Sequence, residues 1–294
     1  MAETIKRKRA MSGYAIRHHT GNMLFLLPTI ILFGVVVLMP FIQGIPYSFT
    51  SWKSILSPNH PYNGLTNYTY LLGNKYFKQS LGVTFHFTLE YLLLSNLFGF
   101  ALALLIHKSS QFNNVARTIF FLPFTISVAA GAIVWKYLYI DVFGTLFNTV
   151  SPLSLESQIV PGMAVMASWR DMGYCMLIYI AALQTISQDY YEAATVEGAN
   201  SWQRFWKITI PMIVPAFTTN ITLILSWGLR TFDLSMNVSA NMAAGQTTAY
   251  YIYQSIFQNS KAGLGQAAAI ILTVILVVLT QIVTRVLRRL EVET

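Results

Sequence analysis

Ionisable side chains stand at helical spacing inside otherwise apolar stretches of this sequence, where such groups are costly and mark functional sites by default. His86 and Glu90 lie four residues apart, so they share one face of a helix. They could form hydrogen bonds to a passing hydroxylated ligand or to each other. The alternative is that the pair packs against a sister subunit. Glu90 is therefore a candidate for contact with a ligand.

A second polar group comprises Arg170, Asp171 and Tyr174. Asp171 and Tyr174 are three residues apart and form one polar and aromatic face. Adjacent residues of a helix point about 100° apart, so Arg170 is expected to reach another helix or the membrane interface instead. Asp171 and Tyr174 are candidate ligand contacts. Trp135, in another apolar stretch, is either a stacking surface for a ligand or a residue of the interfacial aromatic belt.

Trp227, Arg230 and Asp233 recur every three residues near the end of a further apolar stretch. The indole offers a flat apolar surface, and the two ionisable groups offer planar hydrogen-bonding partners, which suits a hydroxylated ligand. Arg230 and Asp233 could instead form an i,i+3 salt bridge with each other. All three residues are candidate ligand contacts.

Several chemistries are excluded by residues that the chain does not offer. The single cysteine, Cys175, lies in an apolar stretch, so the sequence excludes a disulfide framework and a multi-cysteine metal site. No G-x-x-x-x-G-K-[ST] phosphate loop occurs, so this chain is not expected to hydrolyse ATP by that route. We predict no catalytic residues, no metal site and no cofactor bound by this chain.

The candidate residues must be held by elements that reside in lipid. Hydrophobic residues make up 54% of the chain, charged residues make up 10%, and the mean hydropathy is +0.51, unlike an ordinary soluble domain. A helix needs roughly 20 apolar residues to cross the hydrocarbon core. The polar stretch 236–258 is predicted to be an external loop with a short helix. The sequence therefore predicts an all-α integral membrane protein with six spans, at about 22–46, 80–106, 117–140, 159–186, 210–233 and 262–285.

The net charge of +8 indicates topology rather than nucleic-acid binding, because the basic residues flank the apolar stretches. Loops on the opposite side carry few basic residues, namely Lys53, Lys75, Lys78 and Lys261. Both termini are therefore predicted to be cytoplasmic, with residues 1–20 as a basic segment and 21–294 as the transmembrane domain. The basic residues on the cytoplasmic side are Lys6, Arg7, Lys8, Arg9, Arg17, Lys108, Arg117, Arg204, Lys207, Arg285, Arg288 and Arg289.

A polar stretch at about 188–212 separates the fourth and fifth predicted spans. Residues 188–198 suit a helix, and Asp189 could cap it or complement its dipole. Gly198 can end this helix in a left-handed conformation. The sequence therefore predicts a helix, a turn and a second helix on the cytoplasmic side.

The second helix of this stretch, at about 200–208, carries an aromatic stripe formed by Trp202, Phe205 and Trp206. Pro211 is expected to redirect the chain into the next span. Apolar rings on a cytoplasmic loop must be buried, either in the lipid interface or in a partner protein.

The stretch resembles the EAA signature of membrane subunits of ATP-binding-cassette (ABC) importers. That signature runs Glu-Ala-Ala, three residues, Gly, nine residues, Ile, one residue, Leu and Pro, and only Ile210 departs from it, at the Leu position. The stretches "TIFFLPFTIS" and "YIYQSIFQNSKAGLGQAAAIILTVI" are similar to the carbohydrate-uptake class of these permeases, which includes maltose, glycerol-3-phosphate and multiple-sugar systems. The matching residues are Glu192, Ala193, Ala194, Gly198, Ile208 and Pro211.

The resemblance implies a type I importer permease fold and a multi-pass subunit of the bacterial cytoplasmic (inner) membrane. Such a subunit forms half of a translocation pathway for sugars or oligosaccharides. Its loop would act as a coupling helix in a groove of an ATPase, where Glu192 makes a polar contact and Gly198 supplies the turn. The implied coupling residues are Glu192, Ala193, Ala194, Gly198, Arg204, Phe205, Trp206 and Pro211.

The resemblance also implies the partners of the chain. They are two ATPase subunits that bind ATP and Mg, an extracytoplasmic solute-binding protein, a second permease and the sugar substrate. A heterodimer with a different permease is expected first and a homodimer second. No nucleic-acid partner is expected.

The main alternative is a proton-coupled secondary sugar transporter, because His86, Glu90 and Asp171 could relay protons. That alternative predicts inverted repeats with helices broken at matching positions, which this sequence lacks. It also leaves the EAA spacing unexplained. A scaffold or sensor whose loop recruits a partner is a third hypothesis, and the charged residues at membrane depth argue against it.

Overall fold

The computed structural model describes residues 23, 26–54, 56–239 and 242–291. The predicted basic segment at 1–20 lies outside the described residues. Within the described part the chain is helical, which confirms the all-α prediction, and its one extended contact is an antiparallel bridge between Thr50 and Tyr62. The helices are α1 (Leu26–Tyr47), α2 (Thr66–Gly73), α3 (Lys75–Ile106), α4 (Gln111–Phe121), α5 (Val128–Phe147), α6 (Ile159–Thr185), α7 (Gln188–Val196), α8 (Ser201–Met212), α9 (Val214–Leu229), α10 (Asp233–Val238), α11 (Thr248–Tyr253) and α12 (Ala262–Arg288).

Four of these helices, α1, α3, α5 and α12, are each long and apolar enough to cross a membrane. A fifth crossing results if α8 and α9, which meet at a 58° bend, form one span. Helix α6 contains 27 residues and is therefore roughly 40 Å long, but polar residues such as Arg170 and Asp171 lower its hydropathy. The count of six spans stays a prediction.

The core of the bundle lies along the contact between α3 and α6. Phe87 of α3 and Tyr179 of α6 are fully buried in this contact. A Cβ atom at Gly99 would lie 2.6 Å from the Cβ of Cys175, so only glycine permits this approach of the two helices. The close packing of α3 and α6 fixes the positions of the polar residues that both helices carry.

The third predicted span, 117–140, is broken, which corrects the prediction of one continuous helix. A 3₁₀ turn at Leu122–Thr125 separates α4 from α5, and the Ser127 side chain caps the start of α5. Pro123 causes the break because it lacks the amide hydrogen that an α-helix requires. The turn places the ring of Phe124 against aromatic residues of α6 and α9.

The described residues of the stretch 236–258, namely 236–239 and 242–258, form more helical structure than the predicted loop with one short helix. They include the end of α10, a 3₁₀ turn, α11 and a π-helical turn at Gln254–Gln258. The amide of Thr248 donates to Oγ1 of Thr84 (2.8 Å), and the two hydroxyl groups lie 3.0 Å apart. Both threonines are buried, so this stretch is packed against α3.

Candidate functional site

A cavity of about 370 Å³ lies between α3, α5, α6 and the segment that follows α9. It is at the end of α9 farther from the polar stretch 188–212, because α9 begins directly after that stretch. Four of the predicted ligand contacts, Asp171, Trp227, Arg230 and Asp233, line this cavity. Tertiary packing therefore brings together candidates from two separate sequence stretches.

Asp171 lies in the wall of the cavity and is buried. One of its carboxylate oxygens accepts a hydrogen bond from the Tyr91 hydroxyl of α3. The other oxygen is 3.1 Å from Nε of Arg170, which corrects the expectation that these adjacent residues point apart. The guanidinium group is long enough to fold back onto its neighbour, and its carbon also lies 5.5 Å from the centre of the Phe124 ring.

Three aromatic rings lie next to this charged pair. The centre of the Phe124 ring is 4.8 Å from that of Tyr174 and 6.1 Å from that of Trp227, and the Tyr174 and Trp227 centres are 5.4 Å apart. Tyr174 therefore supports Trp227, which lines the cavity. Phe124 was missed by sequence reasoning, and the only local signal for it is the helix-breaking Pro123 beside it.

Arg230 and Asp233 line the cavity as separate groups. Among the described residues, the only ion pairs are His86–Glu90 and Arg170–Asp171, so the alternative of an Arg230–Asp233 salt bridge is not observed. The reason is that α9 ends at Leu229 and α10 begins at Asp233, so helical i,i+3 spacing does not apply. Nε of Arg230 donates instead to the Ser226 carbonyl (3.0 Å).

Trp135 lies outside the lining of the cavity. Its ring packs against Tyr139 and Trp169, with centres 5.3 and 5.6 Å away. The indole also contacts the core between α3 and α6. In this structure Trp135 has a packing role.

Glu90 also lies outside the lining of the cavity, although it precedes Tyr91. Its Oε1 is 2.9 Å from Nε2 of His86, which confirms that the two side chains can bond to each other. The His86 side chain is 54% exposed and that of Glu90 27%. The pair lies on an outward face of α3 that also carries the exposed residues Leu89 and Leu93.

The cavity combines two arginines, two aspartates and aromatic rings, so its formal charges cancel. Guanidinium groups donate, and carboxylates accept, hydrogen bonds in fixed planes. Trp227 offers an apolar surface beside these groups. This combination suits a neutral ligand that carries many hydroxyl groups, and it does not favour an anion.

The predicted helix, turn and helix in 188–212 are present as α7 and α8. The side chain of Ser187 caps α7, and Asp189 lies in the first turn, where it complements the helix dipole. Gly198 has a φ of +82°, in the region that favours glycine. Asn200 caps α8 through a capping box with Gln203. A 58° bend follows α8 and confirms the predicted change of direction after Pro211.

Hydrogen bonds join α7 and α8 into one unit. Nη1 of Arg204 donates to the Thr195 hydroxyl (2.9 Å), and the hydroxyls of Tyr191 and Thr209 lie 2.9 Å apart. Arg204 therefore holds the two helices together. Glu192 is exposed and lies beside Arg204 in a hollow of about 300 Å³.

The aromatic stripe of α8 is divided between two environments. Trp202 is 69% exposed and Trp206 50% exposed. Phe205 is half-buried, and its ring centre lies 6.4 Å from that of Phe100 in α3. Phe205 therefore anchors the loop to the bundle, whereas the two tryptophans remain available to a partner.

Ala193, Ala194 and Pro211 complete the matched residues of the stretch. Ala193 is exposed, and Ala194 lines a shallow hollow of about 380 Å³ together with Gly198 and Lys207. Pro211 is half-buried at the end of α8. The small side chains leave the surface of α7 open to close approach.

Comparisons with known proteins give consistent matches over most of the chain. A family model described as binding-protein-dependent transport system inner membrane component matches residues 95–292. The probable starch degradation products transport system permease protein AmyD of Thermoanaerobacterium thermosulfurigenes is 35% identical, over 92% of this chain and 94% of that protein. The arabinooligosaccharides transport system permease protein AraP of Bacillus subtilis is 29% identical, over 88% of this chain and 86% of that protein.

Solved structures share the fold. A chain in the crystal structure of a bacterial ABC transporter involved in import of the acidic polysaccharide alginate has a TM-score of 0.80 and 23% identity. The match covers 94% of this chain and 98% of that chain. A second structure, of the bacterial alginate ABC transporter in complex with an alginate pentasaccharide-bound periplasmic protein, gives a TM-score of 0.79.

Proposed function

We infer that this chain, which belongs to the family of binding-protein-dependent transport system inner membrane components, is the permease of an ABC importer for sugars or oligosaccharides. The observation that carries the inference is the 35% identity to a permease named for starch degradation products, over 92% of the chain. The chain is an inner-membrane transport subunit and not an enzyme in itself. The proton-coupled alternative has no support from these relatives.

The cavity between α3, α5, α6 and the end of α9 is the proposed sugar contact of this chain. Trp227 presents a flat surface to the C–H face of a sugar ring. Arg170, Arg230 and Asp233 bond to its hydroxyl groups. Asp171 is enclosed by Tyr91 and Arg170, so its role is to hold the Arg170 guanidinium in place. The balanced charge supports a neutral sugar.

The unit formed by α7 and α8 is the proposed coupling element. Its exposed Glu192 and Trp206 contact a separate ATPase subunit, which binds ATP and Mg. Phe205 transmits the movement of the unit to α3. Helix α9 has 16 residues, or roughly 24 Å, and connects α8 directly to Trp227 beside the cavity. Movement of the coupling unit therefore reaches the sugar site through one helix.

The remaining partners are proposed from the family. The chain pairs with a second permease, and a heterodimer is the preferred arrangement. Two ATPase subunits bind at the cytoplasmic face, on which the distribution of basic residues predicts both termini. An extracytoplasmic solute-binding protein delivers the sugar, as the periplasmic protein in the alginate transporter complex suggests by analogy.

The test measures the ATPase activity of an assembly reconstituted in lipid. The assembly contains this chain, the second permease, a candidate ATPase and the binding protein. The binding protein is loaded in turn with maltodextrins, arabino-oligosaccharides or alginate oligosaccharides. A neutral sugar is expected to stimulate hydrolysis. Glu192→Ala should remove the stimulation, whereas Glu197→Ala, an exposed glutamate of the same loop that the signature does not include, should preserve it.

Two outcomes would contradict the proposal. If a proton gradient alone drives uptake and no ATPase co-purifies, the chain is a secondary transporter and Glu90 becomes the residue to study. If Glu192→Ala and Glu197→Ala reduce the stimulation equally, the signature glutamate has no specific coupling role.

A further inference from the structure

A second cavity, of about 390 Å³, lies beside the start of α12. The coupling unit leads into α9, whose Thr222 hydroxyl is 3.1 Å from that of Thr284 near the other end of α12, so the cavity and the coupling unit lie toward opposite ends of this helix. Its walls come from the segment after α1, from α2 and from the turn before α12. Lys53 and Lys261 stand in these walls together with Ser51, Ser260, Trp52 and Tyr70. None of the proposed sugar or coupling residues lines it.

Backbone hydrogen bonds hold this cavity in a fixed shape. The amide of Ala262 donates to the Lys53 carbonyl (3.1 Å), and the amide of Gly263 donates to the Trp52 carbonyl (2.8 Å). The Asn67 side chain of α2 donates to the carbonyls of Ser48 (2.8 Å) and Thr50 (2.9 Å). The segment after α1 is therefore tied to both α2 and α12, and the two lysines are brought to one hollow.

The cavity carries positive charge without a compensating acid. No aspartate or glutamate lines it. Neither Lys53 nor Lys261 takes part in an ion pair with the described residues. Lys53, Lys261 and the Ser260 hydroxyl provide donors for an anion with several oxygen atoms, such as a phosphate. The Ser51 hydroxyl, in contrast, donates to the Pro61 carbonyl (3.4 Å).

The depth of the cavity in the membrane follows from α12. Arg285 and Arg288 stand in its last turn and indicate one membrane interface. The hydrocarbon core is about 30 Å thick, so about 20 helical residues, counted back from Arg285, reach the other boundary near Gly265. Lys261 lies about 6 Å farther out, which is within the layer of lipid headgroups.

The flanking aromatic residues agree with this depth. Tryptophan and tyrosine are enriched at the membrane–water interface. Tyr70 is 48% exposed and Trp52 is half-buried. Their rings and Leu264 line the same hollow as the lysines, so a polar group and an apolar group can be bound side by side.

We propose that this cavity binds the headgroup phosphate of an anionic phospholipid. Lys53 and Lys261 pair with the phosphate, the Ser260 hydroxyl donates to one of its oxygens, and Trp52 and Tyr70 contact the glycerol and the first acyl carbons. A zwitterionic lipid is disfavoured because its own ammonium would be repelled by the two lysines. The site goes beyond sugar transport and lies apart from the sugar cavity.

The experiment measures lipid retained by the full-length chain. The protein is purified in detergent and mixed with phosphatidylglycerol and phosphatidylcholine of equal acyl length, and bound lipid is measured by native mass spectrometry. Preferential retention of phosphatidylglycerol is expected. The double variant Lys53→Gln/Lys261→Gln should weaken the binding of phosphatidylglycerol on the order of 10- to 30-fold, because each lysine contributes a factor of roughly ten or less.

A matched control separates the cavity from general surface charge. Lys75→Gln/Lys78→Gln removes two exposed lysines from the first turn of α3, at the same end of the molecule. This variant should retain phosphatidylglycerol as the unmodified chain does. All four lysines are exposed, so neither double variant is expected to affect folding.

A third variant tests the hollow itself. Thr66→Trp fills the cavity from the start of α2 and leaves both lysines in place, and it should also reduce retention. Equal losses in the two lysine variants, or no preference for phosphatidylglycerol, would overturn the proposal. Displacement of the lipid by an equal concentration of inorganic phosphate would reassign the site to free phosphate. If Lys53→Gln/Lys261→Gln leaves lipid retention unchanged but removes the stimulation of ATP hydrolysis by the loaded binding protein, the cavity is a docking site for a protein instead.

Discussion

Asp171 is a buried carboxylate in the membrane part of the bundle, and its two oxygens meet the Tyr91 hydroxyl and the Arg170 guanidinium. Burying a charge in protein or lipid is tolerated when partners compensate for lost water. Removal of one partner leaves the other charge uncompensated. Asp171 is therefore expected to act on the proposed sugar site through Arg170 rather than by direct contact.

Asp171→Ala should destabilise the full-length chain by about 3–5 kcal/mol, because it leaves the Arg170 guanidinium without its carboxylate. Thermal unfolding in detergent should show a midpoint several degrees lower. Asp233→Ala is the control, since Asp233 is an exposed carboxylate of the same cavity without an ion pair among the described residues. Its cost should be within about 1 kcal/mol. Equal shifts for both variants would contradict the assigned role of Asp171.

At the scale of elements, the turn between α7 and α8 depends on the backbone of Gly198. Its φ is +82°, and a Cβ atom there would meet nothing within 4 Å. The restriction is therefore conformational, and its cost is roughly 1–2 kcal/mol for an ordinary residue. Asparagine tolerates left-handed conformations better than β-branched residues do.

Gly198→Val should abolish stimulation of the ATPase by the loaded binding protein, because it redirects α7 relative to α8. Gly198→Asn should preserve most of the stimulation. The measurement is ATP hydrolysis by the reconstituted assembly, with co-purification of the ATPase as a second readout. If Asn is as damaging as Val, the requirement at Gly198 is contact with the ATPase surface and not the backbone conformation.

The contact between α6 and the broken helix depends on Gly173. A Cβ atom at this position would overlap the carbonyl group of Phe120 at the end of α4. Gly173→Ala should therefore separate α6 from α4, displace Phe124 and lower stability by about 1–3 kcal/mol.

Gly82→Ala is the matched control for this prediction. Gly82 lies within α3, and a Cβ atom there would meet nothing within 4 Å. Alanine in a helix interior is favoured by up to about 1 kcal/mol, so this variant should be neutral or slightly stabilising. Thermal unfolding of both variants in detergent is the measurement, and a neutral result for Gly173→Ala would contradict the assigned contact.

At the scale of the whole molecule, much apolar surface is left uncovered. The most apolar window of α1 has no buried residue. The outward face of α12 carries Val274, Val277, Val278 and Ile282. Gln281, the exposed polar residue beside them, is uncharged, so this face suits lipid. The outward face of α3 differs, because the His86–Glu90 pair lies among its exposed leucines. Ionisable groups at membrane depth face protein or water rather than lipid, so this face is expected to meet the second permease.

Cysteine cross-linking tests this orientation. Leu93→Cys on the outward face of α3, labelled with a thiol-reactive photo-cross-linker, should cross-link to the second permease in membranes, whereas Val274→Cys on α12 with the same label should not. The two positions are matched in exposure, at 56% and 57%. The native Cys175 is buried and should not react. Cross-linking through Val274→Cys alone would place the second permease against α12 instead.

The family of this chain could be predicted from its sequence, as could the helix, turn and helix at 188–212 and most of the helices that are long and apolar enough to cross a membrane. Those features depend on neighbours along the chain: apolar runs of sufficient length, a glycine at a helix end and the spacing of the EAA residues. The same local signals account for the α7–Gly198–α8 arrangement.

Which polar residues share a site depends on contacts between helices that are distant along the chain. Asp171, Trp227 and Arg230 meet in one cavity, whereas Trp135 and Glu90 lie elsewhere. Phe124 packs against Trp227 from the break between α4 and α5, which the apolar pattern concealed. The physical reason is that periodicity describes one helix at a time, whereas a site is formed by side chains from several helices. Their approach is determined by close packing, such as that at Gly99 and Gly173, which no local pattern contains.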